Sequence, residues 1–280
     1  MSYRSLLVLL DNHPLARART AFALRLAGDL GCSLLGVAPT GIVNLPVTSE
    51  AAGTLTEFAA VAKHSLRDQA DRAAQRFRDD CGAAGLESFD AVIDECDEAE
   101  SLVRQGHCCD LVLVSQADPS KPGHRKTQEL IEQVVLRSAR PTLVIPYAGR
   151  FDHVGTHVMV AWDDSREATR AVTDALPLLR RAKRVQAVSW NESGQRDDKA
   201  IRARLEALQR WLKSHDVTAE VHVEKADMRI ANAMLSCAAD LNADLVVMGA
   251  YGHARWAERM LGGATRGLLA SMTVPVLMSH

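Results

Sequence analysis

The chain has 280 residues, a length that suits two domains of ordinary size, each able to bury its own core. It is 47% hydrophobic and 24% charged, as ordinary globular proteins are, and its formal net charge of −2 excludes a globally basic surface for nucleic acid. The first apolar run stops at Asp11, too short for a signal peptide, and no stretch approaches the roughly 20 apolar residues that cross a bilayer. We therefore expect a cytoplasmic protein that binds neither nucleic acid nor membranes.

Short continuous apolar runs alternate along the chain with segments of helical period, a pattern typical of parallel strands that are covered on both faces. The predicted strands lie near 4–10, 33–38, 89–94, 110–115, 142–146, 157–162, 184–190, 218–224, 244–249 and 274–279. The longest predicted helix has an apolar stripe at three- and four-residue steps, namely Leu55, Phe58, Ala62, Leu66, Ala70, Ala73 and Phe77. This stripe is expected to face the sheet.

The sequence also repeats itself. Leu6–Asp11 resembles Val158–Asp163, and each of these short apolar runs ends on an aspartate that precedes a helical pattern. Near the end of each half, Asp110-Leu-Val-Leu-Val resembles Asp244-Leu-Val-Val-Met, and the same offset continues without a gap into the last strand. Two anchors in the same order indicate a duplication.

The repeat, together with the positions of polar and glycine-containing segments, predicts the domain organisation of the chain. Ala148–Gly155 is a short polar, glycine-containing linker, so the boundary is placed there, with domains at 1–148 and 155–280. Gly41–Gly53 is rich in loop-forming residues and is predicted to be a loop. If the connections between strands are right-handed crossovers, the predicted fold class is α/β, with two tandem doubly wound sheets of five parallel strands each. Ligand crevices are expected beyond the carboxyl ends of the strands.

The six cysteines are predicted to be scattered, reduced thiols. None stands in a C-x-x-C spacing, and the neighbouring Cys108 and Cys109 are poorly placed to ligate one ion together. We therefore predict no metal site.

One strand-to-helix loop in the second half is rich in glycine. The predicted strand 244–249 runs into Gly249-Ala-Tyr-Gly252, and nine residues later Gly262-Gly263 opens a helical pattern. Glycine lets the backbone approach an anion closely, and the N-terminus of a helix favours phosphate. The spacing fits neither the P-loop nor the dinucleotide fingerprint. The glycines could equally serve only to shape the turn.

This spacing resembles that of the universal stress protein family. In that family, Gly-x-x-Gly, nine residues and then Gly-Ser or Gly-Thr mark the members that bind ATP, and Gly249, Gly252 and Gly262 match. Gly263 departs from the pattern, because it stands where the family has a hydroxyl that contacts phosphate. Thr265 lies close enough in sequence to substitute for it.

The resemblance implies further contacts to an adenine nucleotide, with Mg²⁺ as a possible companion. Asp163 aligns with a family aspartate that meets the adenosine moiety, although it could also cap the next helix. Val188 matches a position whose backbone borders the adenine. His253 and Arg255 could add charge towards phosphate oxygens, or could simply be solvated loop residues.

The first half provides an internal comparison. At the ungapped offset, Ser115, Asp118, Gln128 and Glu129 occupy the places of the four glycines. Their side chains crowd the backbone, and the two carboxylates would repel phosphate. We therefore expect phosphate at 249–265 and none at 115–131.

The resemblance covers essentially the whole chain as a tandem arrangement. It implies an internal pseudo-dimer in which Thr142–Ile145 pairs antiparallel with Val276–Ser279, and it leaves self-association as a dimer open. The function implied is that of a stress-response regulatory protein that binds ATP, ADP or AMP, with slow or no hydrolysis.

Two alternatives are weighed. A ligand-free scaffold or interaction protein would need neither crevice. An ATP-pyrophosphatase-like enzyme would need a Ser-Gly-Gly-x-Asp-Ser-like loop after the first strand, whereas Asp163-Asp-Ser-Arg166 follows it here. No H-E-x-x-H or G-x-S-x-G motif occurs, so no catalytic residue is assigned.

Overall fold

The computed structural model describes residues 2–41, 52–192, 197–252 and 263–280. In this part of the chain, strands and helices alternate, except that the fifth and sixth strands follow one another directly, and each of the ten strands lies within two residues of its predicted bounds. The elements are β1 (Ser5–Leu9), α1 (Ala16–Leu30), β2 (Ser33–Pro39), α2 (Ala52–Ala83), β3 (Phe89–Asp94), α3 (Glu98–Gly106), β4 (Leu111–Ser115), α4 (His124–Arg137), β5 (Thr142–Ile145), β6 (His157–Ala161), α5 (Arg166–Leu179), β7 (Arg184–Glu192), α6 (Asp198–Ser214), β8 (Ala219–Ala226), α7 (Ile230–Asp240), β9 (Leu245–Gly249), α8 (Gly263–Ser271) and β10 (Val276–Ser279). The predicted α/β fold class is confirmed.

Backbone contacts divide the chain into two compact units, Tyr3–Val114 and Ser115–His280, the latter with Met1–Ser2. The first unit has parallel strands in the order β3-β2-β1-β4. The second has the order β5-β10-β9-β6-β7-β8, and its last five strands are parallel to one another. Helix α4 and strand β5 group with the second unit, and the domain boundary at 148–155 stays a prediction.

Strand β5 pairs antiparallel with β10 inside the second unit. Val276 lies opposite Val144, and Leu277 lies opposite Leu143. This is the pairing of final strands that the family resemblance implies, and it is confirmed.

Each sheet is covered on both faces. The side chains of Leu6, Leu7 and Val8 in β1 are completely buried, and so are Leu245 and Val246 in β9. Burial on both sides explains why these strands are continuous apolar runs without an alternation of apolar and polar residues.

Two equivalent aspartates show the duplication in atomic detail. The carboxylate of Asp110 accepts hydrogen bonds from the backbone N–H groups of Arg4 and Ser5 at the start of β1, at 2.7 and 3.0 Å. That of Asp244 does the same for Gly155 and its two successors at the start of β6, each at 3.0 Å. In both halves the repeated aspartate, which directly precedes a strand, therefore connects that strand to the first strand of the same half.

The long helix α2 packs on its sheet over only part of its length. Ala70, Ala73 and Phe77 are buried, whereas Ala62 and Leu66 are exposed. The prediction of one buried stripe along the whole helix is therefore wrong for these two residues. At 32 residues α2 is about 48 Å long, whereas the seven-residue strand β2 spans only about 23 Å, so the helix extends beyond the sheet.

Part of the predicted Gly41–Gly53 loop, residues 42–51, lies outside the described residues, as do the side chains of Leu55 and Phe58. Ala52 and Gly53 belong to α2. Within the described ranges, no helix combines the length and the apolar character that spanning a membrane requires.

The cysteines are free thiols with unequal exposure, and Cys108 is the exposed one. Burial raises the pKa values of Cys32, Cys81 and Cys237 to about 11, so these thiols stay neutral at any pH well below that value.

Because the thiolate is the reactive form, we expect Cys108 to react first with iodoacetamide at pH 8. Mass spectrometry over time should show one fast site, which Cys108→Ser removes. Equally fast labelling of Cys32 would contradict this expectation.

Candidate functional site

A cavity of about 360 Å³ lies in the second unit, at the carboxyl ends of β6, β7 and β9. This is the edge at which parallel α/β sheets bind their ligands. The cavity is lined by residues from five described segments of the chain, and five of the nine predicted site residues line it: Asp163, Gly249, Gly252, Gly263 and Thr265.

Gly249, the last residue of β9, lies against the start of α5. A Cβ atom placed on it would be 2.4 Å from the backbone nitrogen of Ala168 and 2.6 Å from the carbonyl carbon of Glu167. Both are backbone atoms of the first helical turn, which cannot rotate aside. Glycine is therefore required here for the close approach of strand and helix, whatever the cavity binds.

Gly252 faces the side chain of Glu167. A Cβ atom on this glycine would lie 2.5 Å from Oε2 of the carboxylate, so the carboxylate is directly against the glycine loop. Glu167 is the second residue of α5 and is only 7% exposed. Its Oε1 accepts a hydrogen bond from Nε of Arg166 at 3.1 Å and forms an ion pair with the terminal guanidinium nitrogen Nη2 at 2.9 Å.

Gly263 is the first residue of α8, as the sequence predicted for the helix start. Among the described residues, nothing lies within 4 Å of a Cβ atom placed on it, so this position, unlike Gly249, has space for a side chain.

The buried Thr265 joins the two ends of the loop. Its Oγ1 accepts a hydrogen bond from the backbone N–H of Tyr251 at 3.3 Å, and Tyr251 has a φ of +59°. Burial, and secondarily the nearby Glu132, raises the pKa of the Tyr251 phenol, which therefore remains neutral. The threonine hydroxyl still has its own hydrogen to donate to an acceptor in the cavity.

Asp163 follows β6 and also lines the cavity. Its Oδ1 accepts a hydrogen bond from the backbone N–H of Ser165 at 3.0 Å. The cap of α5 is Ser165 itself, whose side chain accepts from the N–H of Ala168. Asp163 also lines a second cavity of about 310 Å³, which shares Trp162 and Ser189 with the first.

Val188 is fully buried in β7 and is not among the residues that line either cavity. Its carbonyl oxygen accepts the backbone N–H of Trp162 at 2.8 Å. The next two residues, Ser189 and Trp190, line the larger cavity instead. The end of β7 thus reaches the cavity one residue after the predicted position.

His253, Arg255 and Gly262 lie outside the described residues, so their predicted roles remain predictions. Arg266 on α8 is described. It pairs with Glu132 of α4 at 3.2 Å, an interaction inside the second unit that holds α8 against α4.

The segment that corresponds to the glycine loop in the first half is built differently. Helix α4 begins at His124, so Gln128 and Glu129 lie inside it, whereas Gly263, the counterpart of Glu129, starts a helix. Asp118 accepts hydrogen bonds from the backbone and the hydroxyl of Ser120. That no phosphate binds at 115–131 stays a prediction.

The aspartate that follows β1 has an internal partner. Arg19 of α1, only 3% exposed, donates to Oδ1 of Asp11 at 2.7 Å, and its Nε and Nη2 donate to the carbonyl oxygen of Leu9 at 3.0 and 2.8 Å. At the offset that aligns Asp11 with Asp163, the counterpart of Arg19 is the buried Ala171. The second half therefore has no arginine at this position to take the role of Arg19.

Sequence reasoning missed Glu167 and Trp162. The glutamate has the sequence signature of an acidic residue in a first helical turn, which stabilises helices and needs no ligand. Trp162 continues the apolar run of β6, and only the structure shows that it borders both cavities.

The arrangement is suited to binding more than to catalysis. A helix start, a glycine turn and a threonine hydroxyl line the cavity together with the carboxylates of Asp163 and Glu167, the latter directly against Gly252. Hydrogen-bond donors and acceptors that converge on one cavity suit the binding of a polar ligand.

Comparison with known proteins agrees with this architecture. Residues 156–280 match the model of the universal stress protein family. A universal stress protein from Archaeoglobus fulgidus DSM 4304 superposes with a TM-score of 0.67 at 17% identity, covering 99% of this chain and 96% of that one. A protein of unknown function from Pseudomonas aeruginosa PAO1 gives 0.61 at 16% identity, with coverage of 99% and 92%. No curated protein matches the sequence.

Proposed function

We propose that this protein is a stress-response regulator that binds an adenine nucleotide in its second domain, because residues 156–280 match the model of the universal stress protein family. The observation that supports this proposal is the cavity, which is lined from separate segments of the chain by Asp163, Gly249, Gly252, Gly263 and Thr265. ATP, ADP and AMP all carry the phosphate and ribose groups that such a cavity can hold.

The phosphates are assigned to the glycine side. There the N-terminus of α8 and the hydroxyl of Thr265 supply donors, and His253 and Arg255 are proposed to add positive charge. The ribose and base are assigned to the opposite side, where Asp163, Ser189 and Trp190 line the wall. The carboxylate of Asp163 is a suitable acceptor for a ribose hydroxyl.

We expect slow hydrolysis or none. The two carboxylates that line this cavity already accept hydrogen bonds or an ion pair, Asp163 from the backbone N–H of Ser165 and Glu167 from Arg166. These contacts reduce the capacity of either carboxylate to act as a general base that activates water. Self-association as a dimer is a further expectation, and light scattering coupled to size-exclusion chromatography would measure it.

Gly263→Ser tests the phosphate side directly, because it restores the hydroxyl that the family has at this position. A Cβ atom fits there without a clash among the described residues. One added hydrogen bond is worth about 1 kcal/mol, so we expect calorimetry with Mg²⁺ and ATP to show binding about fivefold tighter than in the wild type.

Gly263→Ala is the matched control, since it adds the same Cβ without the hydroxyl and should bind like the wild type. Equal affinities of the serine and alanine variants would place the phosphates elsewhere. The absence of any heat at millimolar nucleotide, in the wild type and in both variants, would contradict nucleotide binding altogether.

A further inference from the structure

A groove of about 550 Å³ lies in the first unit, between the start of α1 and the C-terminal half of α2. It lies outside the proposed nucleotide site, which belongs to the second unit. Two buried apolar side chains, Leu10 and Phe77, are among the residues that line it. Its volume is in the range of small-molecule sites, which combine apolar surface with a few polar groups.

The start of α1 gives the groove donors for a negatively charged group. The residue before the helix is Leu15, which provides no side-chain cap, and the first turn contains no acidic residue. The first backbone N–H groups of a helix have no partner within it. Arg17 of this turn lines the groove, as does Arg76 of α2. In the part of the chain that the structure describes, neither guanidinium forms an ion pair, so both can pair with a carboxylate.

The hydroxyl of Thr20 is an independent indication of a ligand. Thr20 follows Arg17 by one turn of α1, lines the groove and is only 7% exposed. Threonines inside helices commonly donate to the carbonyl oxygen four residues earlier, as Thr169 and Thr173 of α5 do at 2.9 Å. Within the described ranges, the Thr20 hydroxyl has no hydrogen-bond partner of this or any other kind. Buried polar groups are normally paired, so this hydroxyl lacks a group that a ligand can supply.

Carboxylates on α2 decide the charge of the ligand. Asp79 and Asp80 line the groove, and Asp79 accepts a hydrogen bond from the neutral amide of Gln75 at 2.9 Å. No ion pair of either carboxylate is found among the described residues. The third lining aspartate, Asp11, is already paired with Arg19. A purely anionic ligand would be repelled by the carboxylates of α2, whereas a zwitterion finds a partner for each of its charges.

We propose that this groove binds a small zwitterion of the amino-acid type that has an apolar side chain. The carboxylate of the ligand is assigned to the start of α1, with Arg17 and Arg76, where the hydroxyl of Thr20 can donate to it. The ammonium group is assigned to the carboxylate of Asp80, and the apolar side chain to the surface of Phe77. The first unit is then a binding domain in its own right and not only a scaffold for the second.

The test is calorimetry on the full-length protein with L-leucine, L-methionine and L-phenylalanine. Each amino acid is compared with its two analogues that lack either the ammonium or the carboxylate group, which for leucine are 4-methylpentanoate and 3-methylbutylamine. We expect at least one of the three amino acids to bind at millimolar concentration or below. Each of its analogues should bind at least tenfold more weakly, because one pair of charges is lost.

Variants locate the site. Arg76→Met should weaken binding about tenfold, because a hydrogen-bonded charge is removed from the carboxylate of the ligand. Arg72→Met is the matched control, since Arg72 is an exposed arginine of the same helix outside the groove, and it should bind like the wild type. Thr20→Val removes one hydroxyl and should weaken binding about fivefold. It should leave the melting temperature unchanged, because no hydrogen bond within the described chain is lost.

Three results would overturn the proposal. The first is the absence of heat with all three amino acids at millimolar concentration. The second is unchanged affinity in Arg76→Met, with Arg17→Met as a second variant if circular dichroism shows that the first misfolds. The third is binding of inorganic phosphate without binding of any amino acid, which would make the groove a simple anion site. ATP binding in the second unit is measured separately, so its failure would leave this inference standing.

Discussion

Arg19→Met is expected to destabilise the first unit by about 3 kcal/mol. Removing one partner of a buried ion pair costs about 3–5 kcal/mol, and the lower end applies because the side chain of Asp11 is 17% exposed. The substitution leaves a carboxylate without its cation and takes two donors from the carbonyl oxygen of Leu9. Urea unfolding followed by circular dichroism would measure the loss, and hydrogen exchange of peptides from β1 and α1 would place it.

Arg67→Met is the matched control in the same unit. Arg67 pairs with Glu95 at 2.6 Å, as close as Arg19 to Asp11, but the two side chains are 56% and 43% exposed. Exposed pairs contribute about 0–1 kcal/mol, so this variant should unfold almost like the wild type. Adding Asp11→Asn to Arg19→Met should recover part of the loss, since no unpaired charge then remains. Equal effects of Arg19→Met and Arg67→Met would contradict a special role for the buried pair.

The fold could be predicted because its signals are local. A strand covered on both faces must be apolar at every position, so β1 and β9 stand out in the sequence without any knowledge of their neighbours. Because the second half repeats the first, the strands and helices of one half predict those of the other. The prediction failed at Ala62 and Leu66, where a periodic stripe continues beyond the end of the sheet that it would cover.

The site was predictable in position but not in detail. The glycine spacing located Gly249 and Gly252 correctly at the end of β9, because it depends only on the order of strand, loop and helix. Glu167 and Arg19 could not be assigned in the same way. Glu167 stands in an ordinary first helical turn and contacts a glycine that is distant in sequence, and Arg19 stands in an ordinary helical pattern. Only the packing of α5 against β9 and of α1 against β1 reveals the contacts of these two side chains.

Gly249→Ala distinguishes the two interpretations of the glycine loop. If this glycine serves the packing of β9 against α5, a methyl group 2.4 Å from the nitrogen of Ala168 must push the helix away. Such overpacking costs about 1–3 kcal/mol, and a loss of 2 kcal/mol lowers the melting temperature of a domain of 150–250 residues by about 4–8 °C. Because the N-cap Ser165 and Glu167 at the start of α5 both line the cavity, nucleotide affinity should fall at least tenfold as well.

Gly263→Ala makes the same chemical change in a place with open space among the described residues, and it should leave the melting temperature unchanged. A Gly249→Ala protein that melts like the wild type but no longer binds nucleotide would instead show that this glycine serves the approach of phosphate to the backbone. A variant that loses both stability and affinity, as we expect, places the requirement for glycine in the fold. In that case Gly249 would contribute to phosphate binding indirectly, by allowing β9 and α5 to pack closely. The hydrogen bonds to phosphate would come from the N-terminus of α8 and from Thr265.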